Sequence, residues 1–203
     1  MTKQVNAWKE TLSFIKTILI LLALALIIRG TLIEAFKIPS GSMIPTLRIG
    51  DHILVSKLSY GLRAPFVDKI LFQYASPKRG DIVVFTRVDE PDTEENESKD
   101  NIIKRVIGIP GDEIEVERNK LFVNKVLQDE SYARWENGGD PIGNFGPVTV
   151  PDGHVLVLGD NRDHSRDSRF WASPFLPQER LKGRALIVYW SWDNLGRIGT
   201  VLK

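Results

Sequence analysis

The run LSFIKTILILLALALII, Leu12 to Ile28, constrains this chain more than any other feature, because a segment so apolar has to be covered by protein or by lipid. Arg29 brackets it, and Lys16 alone interrupts it with a long stem that can carry its charge out to the headgroups. The uncharged stretch from Thr17 to Ile28 has 12 residues, short of the roughly 20 that a bilayer usually asks for. That shortness also suits the apolar part of a secretory signal. A cleavable signal, however, needs a polar segment and a small-x-small site after the apolar run. Here Ala23-Leu24-Ala25 lies inside the run and Arg29 follows at once. The expectation is a retained transmembrane anchor over 12–30 preceded by a cytoplasmic tail over 1–11. Lys3, Lys9 and Lys16 on the leading side favour that orientation against Arg29 and Lys37 on the trailing side. The remainder of the chain then faces the extracytoplasmic side.

That remainder has material for one main domain, since 203 residues with 42% hydrophobic and 26% charged side chains can bury a sizeable core. A formal net charge of +1 leaves no basic field of the kind that grips nucleic acid, which is therefore not an expected partner. The absence of cysteine excludes disulfide staples, thiolate catalysis and cysteine zinc sites, and leaves the redox compartment open.

Beyond residue 36 the periodicity changes from helical to strand-like. Short β-branched runs recur between turn residues: DHILVS (51–56), DIVVFTRV (81–88), NIIKRVIGI (101–109), DEIEVE (112–117), KLFVNKVL (120–127), HVLVLG (154–159) and RALIVYWSW (184–192). With no long 3.6-period segment between them, the pattern predicts a mainly β, mostly antiparallel domain over 36–203, a sandwich or partly closed barrel. Arg118-Asn119 is placed for a tight hairpin turn. The tract DEPDTEENESKD (89–100) carries seven carboxylates in twelve residues, which repel one another and read as a solvated loop. Its Asn96-Glu97-Ser98 matches a glycosylation sequon, a pattern too short to carry weight. ENGGDPIGNFGP (136–147) reads as a Gly/Pro-rich connection to the last strands.

Three segments carry candidate chemistry. The first is FKIPSGSMIPTL, Phe36 to Leu47, in which Ser40-Gly41-Ser42 lies between two prolines. A serine hydroxyl is a weak nucleophile until a base takes its proton, so Ser42 means little without a partner. His52, His154 and His164 lie in three different segments, and their spacing leaves a Ser-His-Asp triad open. Lysine is the other base that serves serine, and NIIKRVIGIPGD supplies one among apolar neighbours. Strand alternation puts Lys104 on one face with Ile102 and Val106, and Arg105 on the other with Ile103 and Ile107, without saying which face points inward. Only Lys104 could become a base, because desolvation can neutralise an amine and not a guanidinium. A solvent-facing lysine on an edge strand is the plain alternative. The third segment, GDNRDHSRDSRFW (159–171), alternates charges in a way that surface ion pairs would also explain. Asp163, Ser165 and Asp167 have calcium-loop spacing, but Ser168 stands where a loop glycine belongs and Pro174 where the closing Glu belongs, so a metal loop is rejected. What is left is a polar loop whose Ser165 hydroxyl could orient a lysine amine.

Taken together, PSGSMIPTL (39–47), GDHILVSK (50–57), RGDIVVF (79–85), KRVIGIPGD (104–112) and GDNRDHSRDSR (159–169) resemble the successive motif boxes of bacterial type I signal peptidase, also called leader peptidase. Five boxes in the family's order behind an apolar anchor are far more specific than SGS alone. The resemblance implies a membrane-bound serine endopeptidase of the plasma membrane, with a Ser-Lys dyad and no cofactor. Its substrates would be signal-peptide-bearing preproteins, cut after small residues near the translocation machinery. Box by box, it puts Ser42 at the nucleophile, Lys104 at the general base and Ser40 at the side-chain oxyanion donor. Ser165 falls on the lysine-orienting hydroxyl, and Asp167 and Arg169 on structural ion-pair positions. Ile38 and Ile103 would flank an extended substrate. His164 departs from the Asn more often found there, which puts the local hydrogen bonding in doubt. The chain also suggests a reduced minor β subdomain over about 112–150. A Ser-Lys autoprotease of the SOS-repressor type fits less well, since the apolar N-terminus stands where a DNA-binding region would be. A silent, anchored β domain that binds peptides is compatible with the same fold.

Overall fold

A computed structural model of the chain describes residues 2–63, 70–86, 101–135 and 144–203. The acidic tract 89–100, its sequon, and residues 136–143 of the Gly/Pro-rich loop lie outside the described residues.

One helix, α1, runs from Thr2 to Thr31, so the stretch read as a tail is helical and continuous with the apolar run. Within it, the 24 residues Trp8–Thr31 are long and apolar enough to cross a membrane, and Trp8 to Arg29 are exposed, with burial beginning only at Gly30. The count of 12 uncharged residues understated the span, because helix on either side of Lys16 extends it. Only Leu32 separates the helix from the first strand, β1 (Ile33–Lys37). That residue is held on both sides: its amide donates to Ile28 O at 2.8 Å, and its carbonyl accepts from Lys57 N at 2.9 Å.

In chain order there follow β2 (Asp51–Ser56), β3 (Gly61–Arg63), β4 (Ile70–Gln73), β5 (Ile82–Thr86), β6 (Asn101–Gly108), β7 (Glu113–Glu117), β8 (Lys120–Val123), β9 (Val126–Leu127), β10 (Phe145–Thr149), β11 (His154–Leu158), β12 (Leu176–Pro177) and β13 (Leu181–Ser191). All the strand pairings are antiparallel. The large sheet has the order β1-β2-β13-β5-β6-β11-β12, and a smaller one the order β10-β7-β8-β9. With β1 and β12 as its edges, the large sheet does not close, so among the described residues the domain is an open antiparallel β structure and no barrel forms. The β3–β4 hairpin stands apart as a two-stranded ribbon.

The central strands read as continuous apolar runs because both faces of the sheet are covered. Ile82 and Val84 of β5 enter one cluster with Ile38, Met43, Leu47, Ile53 and Ile103, while Val83 and Phe85 enter another with Val106, Val155 and Val157. A third cluster lies between the sheets, where Ile107, Leu156 and Leu158 meet Ile114, Val116, Leu121 and Val123. Arg118 and Asn119 both adopt positive φ, the geometry of a tight two-residue hairpin turn, as the sequence suggests. KLFVNKVL is not one strand: Asn124 and Lys125 also take positive φ and fold it back into β8 and β9.

Gly183 lies where β13 crosses β2, and a Cβ there would run into the Ser56 carbonyl and approach Val55 Cγ1 to 2.9 Å. Backbone cannot retreat as a side chain can. Gly183→Ala should therefore cost roughly 1–3 kcal/mol or more by forced overpacking, read as a lowered midpoint of thermal unfolding.

Candidate active site

The chain between β1 and β2 is anchored by its apolar members, Ile38, Met43 and Leu47, which are all buried in the cluster beneath it. Ser42, between them, is held close to the sheet. Its carbonyl accepts from Asn161 N at 3.1 Å, and the neighbouring Gly41 carbonyl accepts from Asn161 Nδ2 at 3.1 Å. Gly159 lies against the same carbonyl, where a Cβ would come within 2.5 Å of Ser42 O and would overlap Ser165. The 159–169 loop thus forms a wall of the serine's surroundings.

Lys104 reaches this serine from β6. Its Nζ donates to Ser42 Oγ at 2.8 Å, and the residue is 4% exposed. The solvent-facing alternative is overturned, because β6 is an interior strand flanked by β5 and β11. Burial lowers the Lys104 pKa to about 8; the Asp167 and Asp160 carboxylates oppose the shift and Arg169 reinforces it.

Ser40, Ser42 and Lys104 open on one cleft of about 680 Å3, walled by Ile38, Ile53, Val84 and Ile103 and bordered by His164 and Arg166. Ile38 and Ile103 both line this cleft. Of the histidines, only His164 borders the cleft; His52 packs edge-on to Tyr189, and His154 Nδ1 lies 2.9 Å from Asp152 O. Ser165 is buried, but its hydroxyl has no hydrogen-bond partner, so the bond to Lys104 suggested by the sequence is not made in this structure.

Most of the charges in the 159–169 loop are not surface pairs. Asp160, Arg162 and Asp167 are fully buried. Arg169 Nε donates to Asp167 Oδ1 at 2.8 Å, and Asp167 Oδ2 accepts from Gly159 N at 2.9 Å, which stiffens the wall against Ser42. Sequence reasoning missed the partners of the other two. Arg105 is paired with Asp160, donating from Nε at 2.9 Å and Nη2 at 2.8 Å, and Thr46 donates to the same carboxylate at 2.5 Å. Arg162 is paired with Glu130 from a distant segment and lies 5.6 Å from the Trp135 ring. The only signal for these pairs was an arginine in an apolar run and an acid with no local mate.

The family profile described as Signal peptidase, peptidase S26, matches residues 11–190. The chain belongs to that family. It is 40% identical over 191 residues to a protein of Synechocystis sp. (strain ATCC 27184 / PCC 6803 / Kazusa) called probable signal peptidase I-2, covering 94% of this chain and 77% of that one. It is 36% identical over 225 residues to signal peptidase I of Pseudomonas fluorescens, with 89% and 75% covered. A protein of Arabidopsis thaliana called thylakoidal processing peptidase 1, chloroplastic, is 37% identical over 167 residues, with 82% and 44% covered. As an S26 peptidase, the chain is a serine endopeptidase, a hydrolase.

The buried amine has a measurable cost. The folded S26 domain keeps Lys104 neutral down to about pH 8, whereas the unfolded chain protonates it below 10.5, so the unfolded state binds the extra proton between those values. Stability therefore rises with pH across that window, and the full cost, on the order of 3 kcal/mol, is present below it. Lys104→Met removes the cost and forfeits the bond to Ser42, worth roughly 1 kcal/mol. Its unfolding midpoint should exceed the wild type's at pH 7, with the difference shrinking towards pH 10.

Proposed function

We propose that this chain removes signal peptides from exported preproteins at a membrane surface, through a Ser42–Lys104 dyad and an acyl-enzyme. The observation that carries the reading is the 2.8 Å contact from the buried Lys104 amine to Ser42 Oγ, in a cleft of an S26 family member. Neutral Lys104 takes the Ser42 proton as Oγ attacks the scissile carbonyl, and the carbonyl electrons move onto oxygen. Ser40, on the same cleft, donates to that oxyanion together with the Ser42 backbone amide. Protonated Lys104 then gives its proton to the departing amine, which leaves the peptide's new C-terminus as an ester on Ser42. A water, deprotonated by Lys104, hydrolyses the ester and restores the enzyme. Asp167 and Arg169 act through the loop wall as positioning residues. Ser165 is assigned to orient Lys104, a role supported by a buried hydroxyl that no other group uses.

Specificity follows from the same walls. An extended peptide lying beside Ile38 and Ile103 meets close-packed core side chains, which leave room for small residues before the cut. The anchor Trp8–Thr31 holds the enzyme in the plasma membrane, with the leading lysines on the cytoplasmic side and the β domain outside. Preproteins held by their own apolar segments then meet the cleft in two dimensions, near the machinery that exports them, and modest intrinsic affinity suffices.

The test is kcat/KM against pH on a signal-peptide substrate. The wild type should show an ascending limb with a midpoint near 8, because activity requires the neutral amine that burial provides. Ser42→Ala and Lys104→Arg should both lose turnover, the latter because a guanidinium keeps its proton. Wild-type turnover in Lys104→Arg would remove the dyad and bring His164 forward as base.

Ser40→Ala should lower kcat roughly a hundredfold or more, the usual effect of deleting one oxyanion donor, with part recovered in Ser40→Thr. Steady-state kinetics on the same substrate decide it, and an unchanged kcat would take Ser40 out of the site.

A further inference from the structure

The described residues that line the cleft carry charge of one sign only. Lys37, Lys104 and Arg166 border it together with His164, and no carboxylate among the described residues does. In the proposed mechanism Lys104 works as the neutral amine. The standing charges are then Lys37, at the end of β1, and Arg166, on the wall formed by the 159–169 loop.

The backbone of that wall aims its side chains in alternation. Ser165 is extended, with φ −128° and ψ 119°, so its side chain turns one way and those of His164 and Arg166 turn the other. Ser165 is accordingly buried, whereas His164 and Arg166 are exposed. The same two residues border a second hollow of about 450 Å3, lined also by Asp163, Ser165 and Phe170. Ile38, Ile53, Val84 and Ile103 wall the cleft and take no part in this hollow, which therefore lies beyond His164 and Arg166. A trough thus runs from the apolar wall past Ser42 and on over those two side chains.

A peptide cut at Ser42 has to fill the trough on both sides of the bond. In the proposed function the residues before the cut lie along Ile38 and Ile103, where small side chains fit. Those after the cut leave over the loop wall, which offers them charge and N–H donors. The Arg166 guanidinium can give a carboxylate two parallel N–H bonds, and His164 adds a ring nitrogen. Asp163 is the acid of the second hollow, but its Oδ1 is buried, which leaves Arg166 as the more exposed charge.

The geometry points to a charge-selective subsite on the leaving side of the substrate: Arg166 and His164 favour an acidic side chain among the first residues after the cut and disfavour a basic one. The inference rests on the peptidase reading and adds a preference on the side of the bond that the small-residue pockets do not read. A chain with lysine at that point meets like charge and is processed slowly.

The test gives the full-length chain, in detergent, a set of peptides that share one signal portion. They carry aspartate, alanine or lysine at the first or second position after the cut, and kcat/KM is measured for each. The aspartate peptide should exceed the lysine peptide roughly fivefold, the upper range for one exposed ion pair. That ratio should contract in about 1 M salt, where screening reaches about 3 Å. Arg166→Glu should invert the ratio, and His164→Ala should narrow it. Because ratios are read, a change in turnover common to all peptides drops out. Equal kcat/KM for the aspartate and lysine peptides in the wild type overturns the inference alone, as does a wild-type ratio in Arg166→Glu. Cleavage of none of the peptides overturns the peptidase reading and the inference with it.

Discussion

Burial is the largest influence that keeps the Lys104 amine neutral near pH 8, and the requirement that it be dry organises this structure. A residue on an edge strand could not meet it. β6 is interior, with β5 on one side and β11 on the other, and apolar clusters cover both faces of the sheet around it. Burial then brings its own difficulty, because Arg105 follows Lys104 and is carried into the interior with it. The Asp160 carboxylate, further satisfied by Thr46, balances that guanidinium, and the Tyr132 ring lies 4.0 Å over it. A charge so placed is tolerated only when paired, and removing one partner of such a pair costs roughly 3–5 kcal/mol.

The pairing also joins the parts that must meet. Thr46 belongs to the serine segment, Arg105 to the lysine strand and Asp160 to the loop that walls the cleft. Glu130 and Arg162 extend the same logic to the segment that follows β9. Arg134 adds backbone contacts, its amide donating to Asp160 O at 2.7 Å and its carbonyl accepting from Arg162 N at 2.9 Å. Charges that look like surface alternation in the sequence therefore hold three separate segments in register.

Much of the β architecture was legible because strands announce themselves through local properties. DHILVS, HVLVLG and the Arg118-Asn119 turn lie where β-branched runs and turn residues put them. Elements whose definition is not local were missed. β1 reads as the tail of the apolar run, because only Leu32 intervenes. β3 and β4 are too short for a period to register, and the Asn124-Lys125 turn was hidden by the apolar residues on each side. Within the site, the motif boxes named Ser42 and Lys104, and the structure sets them 2.8 Å apart. Pattern alone did not reveal which face of β6 is dry, because both are covered. Nor could it give the mates of Asp160 and Arg162, which come from segments 55 and 32 residues away.

The junction at Leu32 has a consequence for where the enzyme can cut. Helix and strand follow one another without a swivel, and both backbone groups of the intervening residue are occupied. The five residues of β1 then carry the chain about 17 Å, at roughly 3.3 Å each, from the membrane exit to Ile38 at the cleft. Covalent chain thus acts as a ruler between bilayer and nucleophile. Under the proposed function, a substrate would be gauged by how far its own apolar segment lets it reach along that ruler, which would make the thickness of the host membrane part of the selectivity.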